Sequence, residues 1–198
     1  MIKKVKGTKD YFYEESQKIE EVKKKLEKIS SRYNMSKIIT PIFEETSLFS
    51  RAVGNNTDVV NKEMYTFNDK KGRSISLRPE GTAPTVRMVL ENKLLDNNNQ
   101  PDLFYIANMF RYERPQKGRQ REFYQYGVER FGKDSSYVDL ETILIAKDIL
   151  KEFKINKYEL EINSIGKSSE REKFNKELKK FVEKKINLFS YYVKEKFE

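Results

Sequence analysis

The spacing of hydrophobic residues along the chain predicts several amphipathic helices. Between Glu14 and Tyr33 the apolar residues are three or four positions apart with Lys and Glu between them, which is the pattern of a helix with one buried face. Further helices are predicted over Thr82–Leu94, with Thr82 as its cap, over Val138–Phe153, and over Ser168–Glu198 as one or two basic helices. The helical content is therefore spread along the whole chain.

Short β-rich runs lie between these helices. Pro41 interrupts the first run, which predicts an edge or interface strand. The two longest runs are joined by the short loop 113–120, so antiparallel pairing is expected. We therefore predict an α+β fold with helices on one face of a largely antiparallel sheet. The predicted strands are Lys37–Phe43, Glu63–Asn68, Ser74–Arg78, Leu103–Tyr112, Arg121–Phe131 and Tyr158–Asn163.

Composition excludes several kinds of chemistry. The 198 residues include no Cys and no His, so the chain cannot form a Ser-His-Asp or Cys-His triad, a disulfide, or a zinc site with thiolate or imidazole ligands. No protein-held metal site is predicted. No apolar run approaches the about 20 residues of a membrane span, and no signal peptide opens the sequence. A cytoplasmic protein without a membrane partner is expected.

The positive charges are distributed unevenly. The formal net charge of +9 fits a polyanionic partner, although a general preference for Lys on the surface would explain it equally well. The chain has 11 Arg and 29 Lys, and 8 of the 11 Arg lie between positions 73 and 130, where only Lys93 and Lys117 occur. Since Arg binds carboxylates and phosphates through two parallel hydrogen bonds, this window is where we expect the functional site.

One face of the predicted strand Arg121–Phe131 carries candidate ligand-binding residues. Side chains alternate along a strand, so Phe123, Gln125, Gly127 and Glu129 share a face, with a gap at the glycine. This face could form the floor for a small ligand with a cationic group and a planar group. A half-solvated edge strand with outward polar residues is the alternative interpretation. Arg111 ends the neighbouring apolar run, and a charge there requires an anion.

The loop before this strand adds a cluster of cations. Arg114, Lys117, Arg119 and Arg121 would repel one another unless a polyphosphate neutralised them. A solvated basic loop is the alternative, and the use of Arg in a Lys-rich chain argues against it. A polyphosphate ligand such as a nucleotide is therefore predicted.

Two segments within this window resemble a known family. Arg78–Thr82 and Phe110–Gln125 closely resemble the corresponding motifs of histidyl-tRNA synthetases, which are class II aminoacyl-tRNA synthetases. The likeness implies a class II catalytic core over residues 1–166, with an antiparallel sheet flanked by helices, and a basic helical segment over 167–198. It extends over Lys6–Tyr11, Thr40–Glu44, Glu63–Phe67 and Glu161–Gly166.

The resemblance also implies roles for individual residues. Arg111 would be the catalytic residue, holding the α-phosphate of ATP and the histidine carboxylate, while Phe123 stacks on adenine. Pro41 would lie at a homodimer interface. The ATP-binding residues would be Arg111, Glu113, Arg119, Arg121 and Phe123, and the histidine-binding residues would be Glu80, Gly81, Thr82, Arg111, Gln125 and Glu129.

The implied reaction does not require a histidine side chain in the enzyme. The histidine carboxylate attacks the α-phosphorus of ATP to give histidyl-adenylate, with Mg²⁺ held largely by phosphates, and tRNA(His) then accepts the amino acid. Compared with the family, this sequence stops before the third motif and the anticodon-binding domain. We therefore expect an N-terminal part of the enzyme, incomplete at its C-terminus, which alone is inactive or very weak.

Two alternatives remain from the sequence. One is the histidine-binding regulatory subunit of ATP phosphoribosyltransferase, a non-catalytic relative of the synthetases. The other is a nucleic-acid or partner-binding module that uses the helices over Ser168–Glu198, although Lys there alternates with Glu as on a solvated face. Retention of Glu80–Thr82 together with the Arg-rich hairpin favours the synthetase.

Overall fold

The computed structural model describes residues 1–53, 63–132, 134–163 and 166–186. The chain packs as two compact units, Met1–Asn156 and Lys157–Glu198, which we describe separately. The functional division expected at residues 166 and 167 stays a prediction. Within the described ranges, no helix is long and apolar enough to cross a membrane.

The first unit contains four helices and six strands in its described part. In chain order these are α1 (Glu14–Arg32), β1 (Ser36–Lys37), β2 (Phe43–Glu45), α2 (Thr46–Val53), β3 (Thr66–Asn68), β4 (Ser74–Leu77), α3 (Thr82–Glu91), a 3₁₀ turn (Asp96–Asn98), β5 (Asp102–Phe110), β6 (Glu122–Arg130) and α4 (Ser136–Glu152). In the second unit the described part contains one helix, α5 (Ser168–Lys185).

The strands form two three-stranded sheets. One has the order β1-β5-β6, with β1 parallel to β5 and β5 antiparallel to β6, so that Asp102 pairs with Arg130 and Phe110 with Glu122. The other is antiparallel in the order β2-β4-β3. The α+β class and the antiparallel pairing of the two long strands are confirmed, whereas the expectation of a single sheet is wrong.

The division into two sheets has a local cause at Pro41. The predicted strand Lys37–Phe43 is in fact two short strands, one in each sheet, with Pro41 between them. Proline has no N–H to donate to a ladder, and it restricts the residue before it, so the chain leaves one sheet here and enters the other.

Alternation along β5 and β6 separates a core face from a site face. Phe104 packs with Ile29 of α1 and Ile145 of α4 in the main apolar cluster, and Tyr126 and Val128 of β6 pack against it. Residues at the intervening positions, such as Tyr105 and Glu129, therefore face the opposite side. Helices α1 and α4 cover one face of this sheet. The opposite face is next to α3 and carries the candidate site residues of β6.

Two other predictions differ from the structure. Helix α3 ends at Glu91 rather than at Leu94, because Lys93 adopts a left-handed backbone conformation with φ of 53°. The strand expected over Tyr158–Asn163 does not form, and these residues are exposed and belong to no helix or strand. Alternating apolar residues produce a strand only beside another strand, and the described part of the second unit contains none. The predicted helical residues 187–198 lie outside the described residues.

Candidate active site

The N-terminus of α3 is capped by Glu80. Its carboxylate accepts hydrogen bonds from the backbone N–H of Thr82 at 2.6 Å and of Ala83 at 2.9 Å. The prediction that Thr82 caps this helix is therefore wrong. Instead the Thr82 hydroxyl donates to Oε1 of Glu129 at 2.7 Å, which connects the helix to β6. Two of the predicted histidine-binding carboxylates thus lie beside one helix terminus.

Tyr105 lies between two of the predicted site residues, and sequence reasoning missed it. A Cβ atom added at Gly81 would lie 2.3 Å from Cζ of Tyr105, and one added at Gly127 would lie 2.2 Å from the same atom. The Tyr105 side chain is buried. The gap expected at Gly127 is therefore filled by a phenol ring and is not an open floor. The pattern of a tyrosine directly opposite a glycine across the predicted hairpin was the available signal.

We expect Gly127→Ala to destabilise the first unit by about 1–3 kcal/mol, because the added methyl overlaps a ring that is packed on all sides. Urea unfolding followed by circular dichroism measures this effect. Combining it with Tyr105→Ala, which removes the ring, should make the Gly127→Ala cost much smaller than in the parent protein. Additive costs in the double variant would contradict the contact.

Burial raises the pKa of two acidic side chains near the N-terminus of α3, Glu129 and Tyr105. Burial raises the pKa of Glu129, the Thr82 hydrogen bond opposes the shift, and the negative charge of Glu80 adds to it. The pKa of Tyr105 is raised to about 12 by burial and by the charge of Glu129. A cation placed beside Glu129 would favour its ionised form, so the site is suited to a positively charged ligand group.

We expect stability to fall as pH rises through the raised pKa of Glu129. A carboxyl group with a higher pKa in the folded state holds its proton more tightly there, so its contribution is complete at low pH and is lost on ionisation. Glu129→Gln keeps an acceptor for Thr82 but cannot ionise. Urea unfolding at pH 4 and pH 7 should show the Gln variant gaining stability relative to the parent at the higher pH. Parallel pH profiles would contradict this.

Gln125 carries an unpartnered acceptor in the same face of β6. Its Oε1 atom is buried and has no hydrogen-bond partner among the described residues. An unsatisfied buried amide oxygen costs about 1–3 kcal/mol, so a ligand N–H donor would relieve a penalty that the protein already bears. Gln125, Thr82 and Glu129 together present acceptors and a hydroxyl to such a ligand.

A second cluster lies at the loop that connects β5 to β6. The Glu113 carboxylate lies between two arginines, 3.8 Å from Arg111 Nη1 and 3.5 Å from Arg119 Nη1. Arg111 Nε also donates to the carbonyl of Pro79 at 2.9 Å, and its guanidinium lies 5.2 Å from the centre of the Phe123 ring. The anion that Arg111 was expected to require is thus supplied in part by Glu113. Both distances to Glu113 are long for ion pairs, which leaves the guanidinium groups able to bind a stronger anion.

These residues line a cleft of about 630 Å³. Arg111, Arg119 and Phe123 combine two guanidinium groups with an aromatic ring, which suits a ligand that has both phosphates and a planar base. The carboxylates of Glu63 and Glu113 also line it. Two carboxylates, one of them already paired with arginines, fit a Mg²⁺ ion bound mainly by ligand phosphates rather than by the protein.

The remaining predicted residues occupy different positions. Arg121 Nε donates to the carbonyl of Glu113 at 3.1 Å, and its guanidinium lies over the Tyr112 ring at 4.0 Å. Arg114 and Lys117 are exposed on the loop. Pro41 is also exposed and lies beside other exposed apolar side chains in its stretch of chain, Ile39 and Ile42. The structure therefore forms two clusters, one around Glu129 and one around Glu113, with Arg111 between them.

Arg78 connects these clusters to the scaffold, and it was not predicted. Its side chain is buried, Nε donates to the Asn108 carbonyl at 2.8 Å, and Nη1 donates to the carbonyls of Thr40 at 2.8 Å and Pro41 at 3.2 Å. Burial lowers the pKa of this guanidinium. Arg78 thereby ties the end of β4 to β5 and to the Pro41 segment.

Comparison with known proteins identifies the family. Residues 7–168 match the family described as histidyl-tRNA synthetase. The chain belongs to the histidyl-tRNA synthetase family. It is 48% identical over 181 residues to a histidine–tRNA ligase of Fervidobacterium nodosum, covering 91% of this chain and 43% of the relative. It is 47% identical over 190 residues to the histidine–tRNA ligase of Staphylococcus aureus, covering 96% of this chain and 45% of the relative. This chain thus spans less than half the length of these relatives.

Solved structures agree with this membership. The apo histidyl-tRNA synthetase of S. aureus superposes with a TM-score of 0.79 at 38% identity, covering 100% of this chain and 46% of that one. A Bacillus halodurans protein described as an ATP phosphoribosyltransferase regulatory subunit/histidyl-tRNA synthetase superposes with a TM-score of 0.64 at 26% identity, covering 76% and 38%. The fold expected from the resemblance, a class II synthetase-like α+β core, is confirmed.

Proposed function

We propose that this chain is the N-terminal part of a histidine–tRNA ligase and that it supplies the ATP cleft and one wall of the histidine pocket. The observation that carries the proposal is Arg111, which lies between the Glu113 cluster and the Glu129 cluster and bonds to the backbone beside Glu80. A guanidinium at this point can bind an α-phosphate and a carboxylate together, and these are the groups that react.

The ATP half of the site uses the cleft of about 630 Å³. Arg111 and Arg119 neutralise phosphate oxygens, Phe123 offers a ring face to adenine, and Glu113 positions the nucleotide between them. Mg²⁺ bound to the phosphates would supply further neutralisation. When ATP binds, Arg111 and Arg119 would exchange their long contacts with Glu113 for shorter charge-assisted hydrogen bonds to phosphate oxygens.

The histidine half uses acceptors aimed at cationic and N–H groups. Glu80, Thr82 and the buried Oε1 of Gln125 suit the ammonium group, and Glu129 suits the imidazole. Gly81 and Gly127 admit the Tyr105 ring that closes the pocket behind them. The bound amino acid would direct its carboxylate toward Arg111, which holds it near the α-phosphorus and neutralises the charge of the transition state.

A regulatory subunit of ATP phosphoribosyltransferase is the second candidate, favoured by the name of the B. halodurans protein. The S. aureus synthetase has the higher identity, 38% against 26%, and superposes over the whole chain. A regulatory subunit would bind histidine without needing a phosphate-binding hairpin. The arginines that line the cleft here therefore support the ligase.

The complete ligase would act as a homodimer on tRNA(His) in the cytoplasm. Support for the dimer comes from the exposed apolar side chains of Ile39, Ile42, Phe43 and Phe67, which lie on or beside the β2-β4-β3 sheet. Their exposed fractions of 86%, 50%, 56% and 47% are high for large apolar residues and suit a protein interface that includes Pro41.

ATP–pyrophosphate exchange tests the proposal. We expect histidine-dependent exchange by the 198-residue chain alone to be very weak, because the chain contributes half of the site. Joining it to the remaining half of a family member should produce robust exchange. Failure of that joined protein to catalyse exchange, together with binding to a phosphoribosyltransferase, would favour the regulatory subunit.

A further inference from the structure

The N-terminal segment contacts the hairpin through the backbone of Gly7. A turn precedes this contact, in which both the N–H and the hydroxyl of Thr8 donate to the Val5 carbonyl at 3.1 and 2.8 Å. The carbonyl of Gly7 then accepts the N–H groups of Arg121 at 2.7 Å and Glu122 at 3.3 Å. The backbone of Gly7 therefore bonds to the hairpin at the first residue of β6 and at the residue before it.

Only glycine fits at this contact. Gly7 has a φ of +88°, and an added Cβ would lie 2.7 Å from Cγ and 2.8 Å from Cδ of Arg121. The missing side chain lets the backbone lie directly against the aliphatic part of Arg121, which directs the guanidinium away from Gly7.

Beyond Gly7, the Arg121 guanidinium meets the opposite strand of the hairpin. It lies 4.0 Å from the centre of the Tyr112 ring, and Nε donates to the Glu113 carbonyl at 3.1 Å. In addition, the N–H of Arg111 donates to the Arg121 carbonyl at 2.9 Å. Arg121 therefore fixes the backbone on both sides of Tyr112.

Arg119 differs from Arg121 in each of these respects. Its side chain is 63% exposed, and its one described ion pair is the 3.5 Å contact with Glu113. Arg119 is thus free to turn toward a phosphate, whereas Arg121 is held by a ring, a carbonyl and the Gly7 backbone.

We propose that Gly7 and Arg121 form a clasp that holds the backbone of Glu113, so that Arg121 is a positioning residue for the nucleotide cleft and not a phosphate ligand. The backbone carbonyl of Glu113 accepts a hydrogen bond from Arg121. This bond fixes the Glu113 backbone and so keeps the Glu113 carboxylate between Arg111 and Arg119. This inference rests on the proposed function and deepens it. It changes the role that the family resemblance implied for Arg121.

Arginine side-chain NMR of the 198-residue chain tests the clasp. A hydrogen-bonded Nε–H exchanges slowly with water, so the Arg121 signal, assigned through Arg121→Lys, should be protected. Titration with tripolyphosphate should shift the Nε–H signals of Arg111 and Arg119 well before that of Arg121. In Gly7→Ala the protection at Arg121 should be lost, and the affinity for MgATP should fall by about tenfold.

Gly72→Ala is the matched control, because Gly72 has a similar φ of +79° but no atom within 4 Å of the added methyl. It should leave both Arg121 protection and MgATP affinity unchanged. If Gly7→Ala fails to fold, the tripolyphosphate titration of the parent chain decides alone, since an Arg121 that binds phosphate would shift together with Arg119.

Two results would overturn the clasp: a tripolyphosphate shift at Arg121 as large as that at Arg119, or unchanged Arg121 protection in folded Gly7→Ala. Failure of the parent chain to respond to either phosphate compound would instead count against the proposed ATP cleft. The exchange of the Arg121 Nε–H in Gly7→Ala would still decide whether the clasp exists.

Discussion

Arg111→Ala should reduce histidine-dependent ATP–pyrophosphate exchange by at least about 100-fold in a full-length ligase that contains this segment. Removing one preorganised charged donor from a reacting centre costs about that much, and Arg111 is placed to bind both reactants. Among the described residues, its side chain makes one hydrogen bond to Pro79, a long ion pair with Glu113 and a contact with the Phe123 ring. These contribute about 1 kcal/mol, so the variant should remain folded.

Separating catalysis from folding requires two measurements on the same variant. Exchange rates over a range of ATP concentrations give kcat and KM, and urea unfolding gives the free energy of unfolding. Arg114→Ala is the matched control, because Arg114 lies on the same hairpin but is exposed. A large loss of stability with little loss of exchange per folded molecule would assign Arg111 a structural role.

Arg78→Met should destabilise the first unit by about 3 kcal/mol or more. Met has a similar length but no donors, so it would remove the donors that the buried carbonyl of Thr40 and the partly buried carbonyls of Asn108 and Pro41 now have. Each buried carbonyl left unsatisfied costs about 1–3 kcal/mol. Urea unfolding of both proteins under one condition measures the difference.

Arg73→Met provides the control for this substitution. Arg73 pairs with Asp69 at 2.7 Å in the β3–β4 turn, but its side chain is 64% exposed, and surface ion pairs of this kind contribute about 0–1 kcal/mol. Arg78→Lys should also be destabilising, because one ammonium group cannot reach carbonyls on two sides. Equal effects of Arg78→Met and Arg73→Met would contradict the bridging role of Arg78.

Much of the fold could be predicted because it depends on local patterns. Helix α1 begins at the expected residue and ends one residue earlier than expected, and the long hairpin has the expected antiparallel pairing. Periodicity determines such elements, since one face of each must be buried. The division at Pro41 was only partly visible, because a proline signals a break but does not say where the chain continues.

The site could be predicted less completely, because its key contacts join distant segments. The candidate site residues fall in the Arg-rich window, but Glu80 rather than Thr82 caps α3. The Thr82 side chain does not cap the helix because Glu129, from a distant segment, lies close enough to accept a hydrogen bond from its hydroxyl. Arg78 lies in the Arg-rich window and Tyr105 lies opposite a glycine, but the burial and the structural role of both side chains depend on their tertiary neighbours.

The position of the Tyr105 ring has a consequence for how the protein folds. Tyr105 and Gly127 face each other within the β5–β6 hairpin, whereas Gly81 precedes α3, and the ring reaches its place only when the helix and the hairpin have come together. The packing around the Tyr105 ring is therefore incomplete in the hairpin alone and in the helix alone. Completion of this packing should coincide with the cooperative folding of the whole unit, so that every folded molecule has the Tyr105 ring in place between Gly81 and Gly127.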